Sequence, residues 1–228
     1  MGELVTFPSN GHTDTGYLAV PASGRGPGII VIQEWWGLVP HITDVCERFA
    51  AAGFVALAPD LFHGVTTTEP DEAGKLMMAL NVEQATKDMS GAVDHLLSLE
   101  SVTTTHVGVT GFCMGGGLAL ALACARPDAV SACAPFYGVI PWPNLEPDWS
   151  KLEAAVLGHF AENDSMFTPT MVGELEDRLR SEGKEAAFII HPGVEHAFFN
   201  DTRPEVHDPE ASAAAWTSVV PFLRANIT

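Results

Sequence analysis

The chain has 228 residues, of which 46% are hydrophobic and 18% charged, a balance that excludes intrinsic disorder and suits a globular core. Asp+Glu 29 against Lys+Arg 11 leaves a net charge of −18, and no basic cluster could neutralise a run of phosphates, so neither nucleic acid nor an anionic membrane surface is an expected partner. No apolar run approaches the roughly 20 residues of a spanning helix.

The N-terminal MGELVTFPSNG has neither a basic n-region nor an apolar h-region, so the default address is cytoplasmic. The spread-out acidity fits a solvated acidic surface, with salt adaptation as the other reading. Cys46, Cys113, Cys124 and Cys133 are too few and too irregular for a disulfide framework or a metal knuckle, and are expected as free thiols. With no linker-like stretch inside, residues 1–228 are expected to build one domain, as a monomer or small homo-oligomer.

In chain order, short β-rich runs alternate with longer helical patterns. Strands are predicted over Tyr17–Val20, Gly28–Gln33, Phe54–Ala58, His106–Thr110, Val130–Phe136, Ala154–Phe160 and Ala187–His191. Helices are predicted over His41–Ala52, Asp71–Leu99, Gly115–Ala125, Pro169–Ser181 and Pro209–Ala225. Several of the strands are apolar throughout, as parallel strands covered on both faces should be. The expectation is an α/β fold with a mostly parallel sheet of about seven to eight strands, helices on both faces, and functional residues on loops at the carboxyl ends of strands.

The stretch from His106 to Gly117 runs from an apolar strand through Gly111-Phe112-Cys113-Met114-Gly115 into a small-residue helix. G-x-C-x-G in that context has a physical reason: a sharp turn lifts the nucleophile clear of the sheet, and the glycines let strand and helix approach closely. It also sets Cys113 at a helix N-terminus, where the dipole favours thiolate. Such an elbow requires an acid after a later strand and a histidine after the last one. Asp164, in the polar turn after Ala154–Phe160, is the predicted acid, with Glu162 and Asp177 as competitors. His196, in the Pro-Gly loop past the last strand, is the predicted base. His191 reads as structural; His41, His63, His159 and His207 show no partner pattern. No His/Asp/Glu spacing marks a metal site. An oxyanion hole would draw one N–H from Met114 and a second from Trp35, in the Glu34-Trp35-Trp36-Gly37 turn, with Glu34 close to the thiol.

These residues resemble the dienelactone hydrolase (carboxymethylenebutenolidase) family of the α/β-hydrolase fold. The resemblance runs through the Gln33–Gly37 turn, Ala58-Pro59-Asp60-Leu61-Phe62, the Gly111–Gly116 elbow, Tyr137-Gly138, Asp164 and Gly193–Phe198. It implies a Cys113-Asp164-His196 triad, with Glu34 contacting the resting thiol and moving on substrate binding. It further implies that enol lactones or activated esters are opened through a thioester, without metal or organic cofactor. Relatives that open carboxylated dienelactones hold the carboxylate with arginines, one shortly after the catalytic histidine. Here Asn200 stands four residues after His196, Arg203 follows at seven, and the region 69–78 offers Lys75. The expected pocket residues are Trp36, Phe62, Tyr137, Phe198, Asn200 and Arg203, with Trp35, Phe136, Trp142 and Phe199 adding to an aromatic rim. The competing reading is a non-hydrolytic small-molecule binder or redox sensor in which Cys113 is a reactive thiol.

Overall fold

In the computed structural model, which describes residues 2–140, 142 and 146–228, Glu3–Ser9 (β1) and His12–Ala19 (β2) form an antiparallel hairpin. Its two-residue turn, Asn10-Gly11, has positive φ at both positions (46° and 83°), the geometry that Asn-Gly favours between twisted strands. The Asn-Gly signal was in the sequence, yet the predicted strand covered only Tyr17–Val20 of this hairpin. The solvated face of β1 and the Pro8 inside it blur the alternation, and proline is tolerated because β1 is an edge strand.

The sheet continues through Gly26–Ile32 (β3), Val55–Pro59 (β4), Val102–Phe112 (β5), Val130–Phe136 (β6), Ala155–Ala161 (β7) and Ala186–His191 (β8). The order is β1-β2-β4-β3-β5-β6-β7-β8, antiparallel up to β4 and parallel from β4 onward. Four consecutive residues of β3, Ile29–Ile32, are fully buried, so both faces of the sheet are covered. Each such side chain contributes about 1.5–3 kcal/mol.

The helices are Pro40–Ala51 (α1), Pro70–Ala79 (α2), Val82–Ser98 (α3), Met114–Ala125 (α4), Pro169–Ser181 (α5) and Pro209–Asn226 (α6). The single helix expected over Asp71–Leu99 is two. Leu80 is extended, and the Asn81 side chain accepts the Gln84 N–H at 3.0 Å, capping α3 afresh. Apolar residues on both sides of this break share one periodic stripe, so the pattern alone does not reveal it. α3 and α4 pack on each other and on the sheet, while α1 meets α6 through Phe49 and Trp216. α4 is buried from Met114 to Cys124, which its small side chains permit. Among the described residues, no helix is long and apolar enough to cross a membrane.

Candidate active site

Cys113 stands between β5 and α4 with φ 55° and ψ −120°, a conformation that costs a non-glycine residue on the order of 1–3 kcal/mol and persists only where the surroundings enforce it. The enforcement comes from close packing. A Cβ on Gly111 would lie 2.0 Å from the Gly115 carbonyl oxygen, and one on Gly115 would lie 2.5 Å from the carbonyl oxygen of Gln33. Backbone bonds fix the turn on both sides: the Cys113 N–H donates to the Phe136 oxygen at 3.1 Å, and the Cys113 oxygen accepts from the Gly116 N–H at 2.9 Å. The start of α4 is thereby pressed against the end of β3. That contact sets Met114, whose amide lies in the first helical turn without a helical acceptor, beside the turn that carries Glu34 and Trp35.

Asp164 lies beyond β7 and is 3% exposed. Its Oδ1 accepts the N–H groups of Met166 and Phe167 at 2.8 and 2.9 Å, which leaves Oδ2 aimed at His196 Nδ1, 2.6 Å away. His196 lies beyond β8, in a loop tied to the preceding one by Asn163 N–H to Val194 oxygen at 3.0 Å. Its pKa is pushed up to about 10: burial alone would lower it, but hydrogen bonds to Asp164 and to Cys113, and their charges, outweigh burial. Cys113, Asp164 and His196 are thus brought together from the ends of three strands. Of the competing acids, Glu162 is spent on the Gly193 N–H at 2.8 Å and Asp177 is exposed on α5.

Glu34 is 1% exposed, and its partners differ from the expectation. Its Oε2 accepts from Asn200 Nδ2 at 2.8 Å and its Oε1 faces the Tyr137 hydroxyl at 3.5 Å, whereas Cys113 lies close enough to His196 to raise the pKa of the imidazole. In this arrangement the thiol's neighbour is the histidine, and Glu34 is held alongside. Tyr137 is fully buried at φ 34°, its ring against His196 at 5.2 Å and Phe198 at 5.4 Å. Burial and the neighbouring Glu34 carboxyl hold its hydroxyl well above the ordinary tyrosine pKa. Asn200, expected as a pocket residue, is therefore also the anchor of Glu34, a role nothing in its local sequence announces.

A cavity of about 560 Å³ is lined by Trp36, His41, Thr67, Asn200 and Arg203 among others. Three of the expected pocket residues, Trp36, Asn200 and Arg203, meet there, and Asn200 links the cavity to Glu34. Arg203 lies 5.7 Å over the Trp36 ring and pairs with Glu205 at 2.9 Å. Phe62, Tyr137 and Phe198 do not line it. All three, expected as pocket residues, are buried, at 7%, 0% and 0% exposure, with Tyr137 packed instead against His196 and Phe198. Lys75 is exposed on α2, away from these walls. His41 is the lining residue the sequence reading passed over: it is buried, neither ring nitrogen has a hydrogen-bond partner among the described residues, and burial lowers its pKa.

A strained elbow between strand and helix, with an acid and a histidine following later strands of a mostly parallel sheet, defines an α/β-hydrolase. Residues 15–227 match the model of the dienelactone hydrolase family. The chain is 36% identical to "Protein usf" of Aquifex pyrophilus over the whole of both chains, and 32% identical to a putative carboxymethylenebutenolidase of Aquifex aeolicus over 98% of each. A solved structure of a putative dienelactone hydrolase from Klebsiella pneumoniae superimposes with a TM-score of 0.89 at 24% identity, covering 98% of each chain. The chain belongs to the dienelactone hydrolase family, and with it to the carboxylic ester hydrolases.

Proposed function

We propose that this chain opens enol lactones or cleaves activated esters with Cys113 as nucleophile, His196 as its base and acid, and Asp164 as the group that orients and charges the imidazole. The observation that carries the reading is the His196 Nδ1–Asp164 Oδ2 pair at 2.6 Å, set beside Cys113 at its strained turn, whose sulfur helps raise the pKa of that imidazole. An imidazole whose pKa is pushed up to about 10 is protonated at neutral pH.

The thiolate attacks the acyl carbon, and the electron pair moves to the carbonyl oxygen, which the Met114 and Trp35 amides stabilise. Collapse of the tetrahedral intermediate breaks the acyl carbon–oxygen bond, and His196 gives its proton to the departing oxygen. A thiolate is itself a good leaving group, so the reaction goes forward only when the departing group is at least comparable, which favours enolates over ordinary alkoxides. Neutral His196 then takes a proton from water, the hydroxide attacks the thioester, and acid is released with the Cys113–His196 pair restored. No step calls on a metal or organic cofactor. The cavity beside Glu34 is the proposed acyl pocket, where a substrate carboxylate would compete with Glu205 for Arg203.

The test is turnover of cis and trans carboxylated dienelactones beside an uncharged activated ester, by wild type and Cys113→Ala. Cys113-dependent cleavage of the dienelactones supports the full reading. Cleavage of the uncharged ester alone retains the triad and removes the carboxylated substrate. Turnover that survives in Cys113→Ala contradicts the nucleophile.

A further inference from the structure

Away from Cys113, the hairpin, the loop after β4 and α3 converge on a second group of side chains. His12 and Asp14 are two residues apart on β2 and so share a face. His12 Nε2 lies 3.0 Å from Asp14 Oδ1 and 3.6 Å from Asp88 Oδ1 on α3, and His63 Nδ1 lies 3.5 Å from the same Asp14 Oδ1. One ligand atom from each of His12, Asp14 and Asp88 falls within 4.8 Å of the others.

Two features of this group point to a cation. The first is buried negative charge: Asp14 and Asp88 are both 4% exposed, and among the described residues their ion-pair partners are half-exposed histidines, with no lysine or arginine. Asp88 Oδ1 also accepts from Asn10 Nδ2 at 3.3 Å and Gln84 Nε2 at 3.0 Å. Asp14, whose Oδ1 faces both histidines, has its other oxygen, Oδ2, buried without any hydrogen-bond partner among the described residues, an arrangement that costs stability unless something else satisfies it. The second is spacing. Ligand atoms about 2.0–2.1 Å from one tetrahedral ion lie roughly 3.3 Å apart; His12 Nε2 lies 3.0 and 3.6 Å from the Asp14 and Asp88 oxygens, and all three ligand atoms fall within 4.8 Å of one another.

The backbone presents these groups with little slack. The Asp60 carboxylate accepts the N–H groups of Phe62 and Gly64 at 3.1 and 2.6 Å, holding the turn in which His63 has φ 51°. Ser9 Oγ donates to the Asp88 carbonyl oxygen at 3.2 Å, fixing β1 to α3.

We propose that His12, Asp14 and Asp88 bind one divalent ion of the zinc class, with His63, 3.5 Å from Asp14 Oδ1, turning in to complete the shell, so that the ion clamps the hairpin and the Asp60–Gly64 turn onto α3. Imidazole nitrogen beside the two carboxylates suits zinc over calcium or magnesium, which favour all-oxygen shells. The site was invisible to sequence spacing because its ligands come from three separate segments. It is distinct from Cys113 and adds nothing to the acyl-transfer chemistry.

The test uses chelator-treated full-length protein titrated with zinc chloride, followed by calorimetry and by the thermal midpoint, with cobalt as a spectroscopic probe. The expected result is one zinc per chain, visible absorption bands of tetrahedral cobalt, and a midpoint that climbs with zinc concentration. His12→Ala and His63→Ala alter half-exposed side chains (41% and 58%), so the core stays intact. Each should weaken binding by at least the roughly 10–100-fold that lost outer-shell partners cost, with ester turnover unchanged. Absence of stoichiometric binding overturns the proposal. So does binding that is undiminished in the His12→Ala/His63→Ala double variant, or that disappears only in Cys113→Ala, which would place the ion on the nucleophile.

Discussion

Two histidines near the carboxyl ends of neighbouring strands, His159 fully buried and His196 partly so, are driven in opposite directions. His196, past β8, and His159, in β7, both lose water, and burial pulls both pKa values down. His196 faces the Asp164 carboxylate and the Cys113 sulfur and ends near 10; His159 faces His191 Nε2 at 3.0 Å and the Ser218 hydroxyl at 3.1 Å and falls to about 3. Burial is common to the two, so the sign of the shift is decided by whether the neighbour carries negative charge. The same fold holds one imidazole charged and another neutral within a few residues of sheet.

The largest effect should come from removing the nucleophile. Cys113→Ala is expected to lower kcat/KM on an activated ester by about 10⁵-fold or more, as loss of a triad member does elsewhere, with the folded state retained by circular dichroism. Asp164→Asn keeps the shape and removes the charge. Steady-state kinetics should show a loss of about 10⁴-fold, and NMR titration should place His196 far below 10, since burial then acts with less opposition. A His196 resonance that still titrates near 10 in Asp164→Asn would break the comparison at its root.

Stability sharpens it further. His196 has a raised folded pKa, so its contribution is complete below its unfolded value of 6.5 and is lost as pH rises through about 10. His159 has a depressed one, so its contribution is present above 6.5 and is lost as pH falls toward 3, at a slope of up to about 1.4 kcal/mol per pH unit. Urea unfolding at pH 7, 5 and 4 should show His159→Gln with a shallower acid loss than wild type. The smallest effect is expected at Asn200: Asn200→Ala strips Glu34 Oε2 of its 2.8 Å donor and should cost about 1–3 kcal/mol, read as a lower urea midpoint.

What the sequence revealed of this molecule follows the range of each signal. β3 is a continuous apolar run, β6 is one broken only by Ser131, and α4 follows a glycine-punctuated turn, so all three were legible from local pattern. Cys113, Asp164 and His196 each close a strand in the order an elbow requires, and the structure brings them within contact. The hairpin strand β1 was hidden by its solvated face, and the α2–α3 break by a stripe that runs across it. Glu34 was expected at the thiol, but its partners Asn200 and Tyr137 are set by the way two distant loops pack. The inward turn of Phe62 and Phe198 is likewise decided by the finished core, and the His12–Asp14–Asp88 group exists only once β2 and α3 are side by side.

The most direct test of the account is intact-mass and peptide analysis after rapid mixing with an activated ester and acid quench. The account predicts an acyl adduct on Cys113 that forms in a burst, decays with turnover and is absent in Cys113→Ser or Cys113→Ala. Full turnover with Cys113 unmodified throughout, or an adduct on another residue, would contradict it.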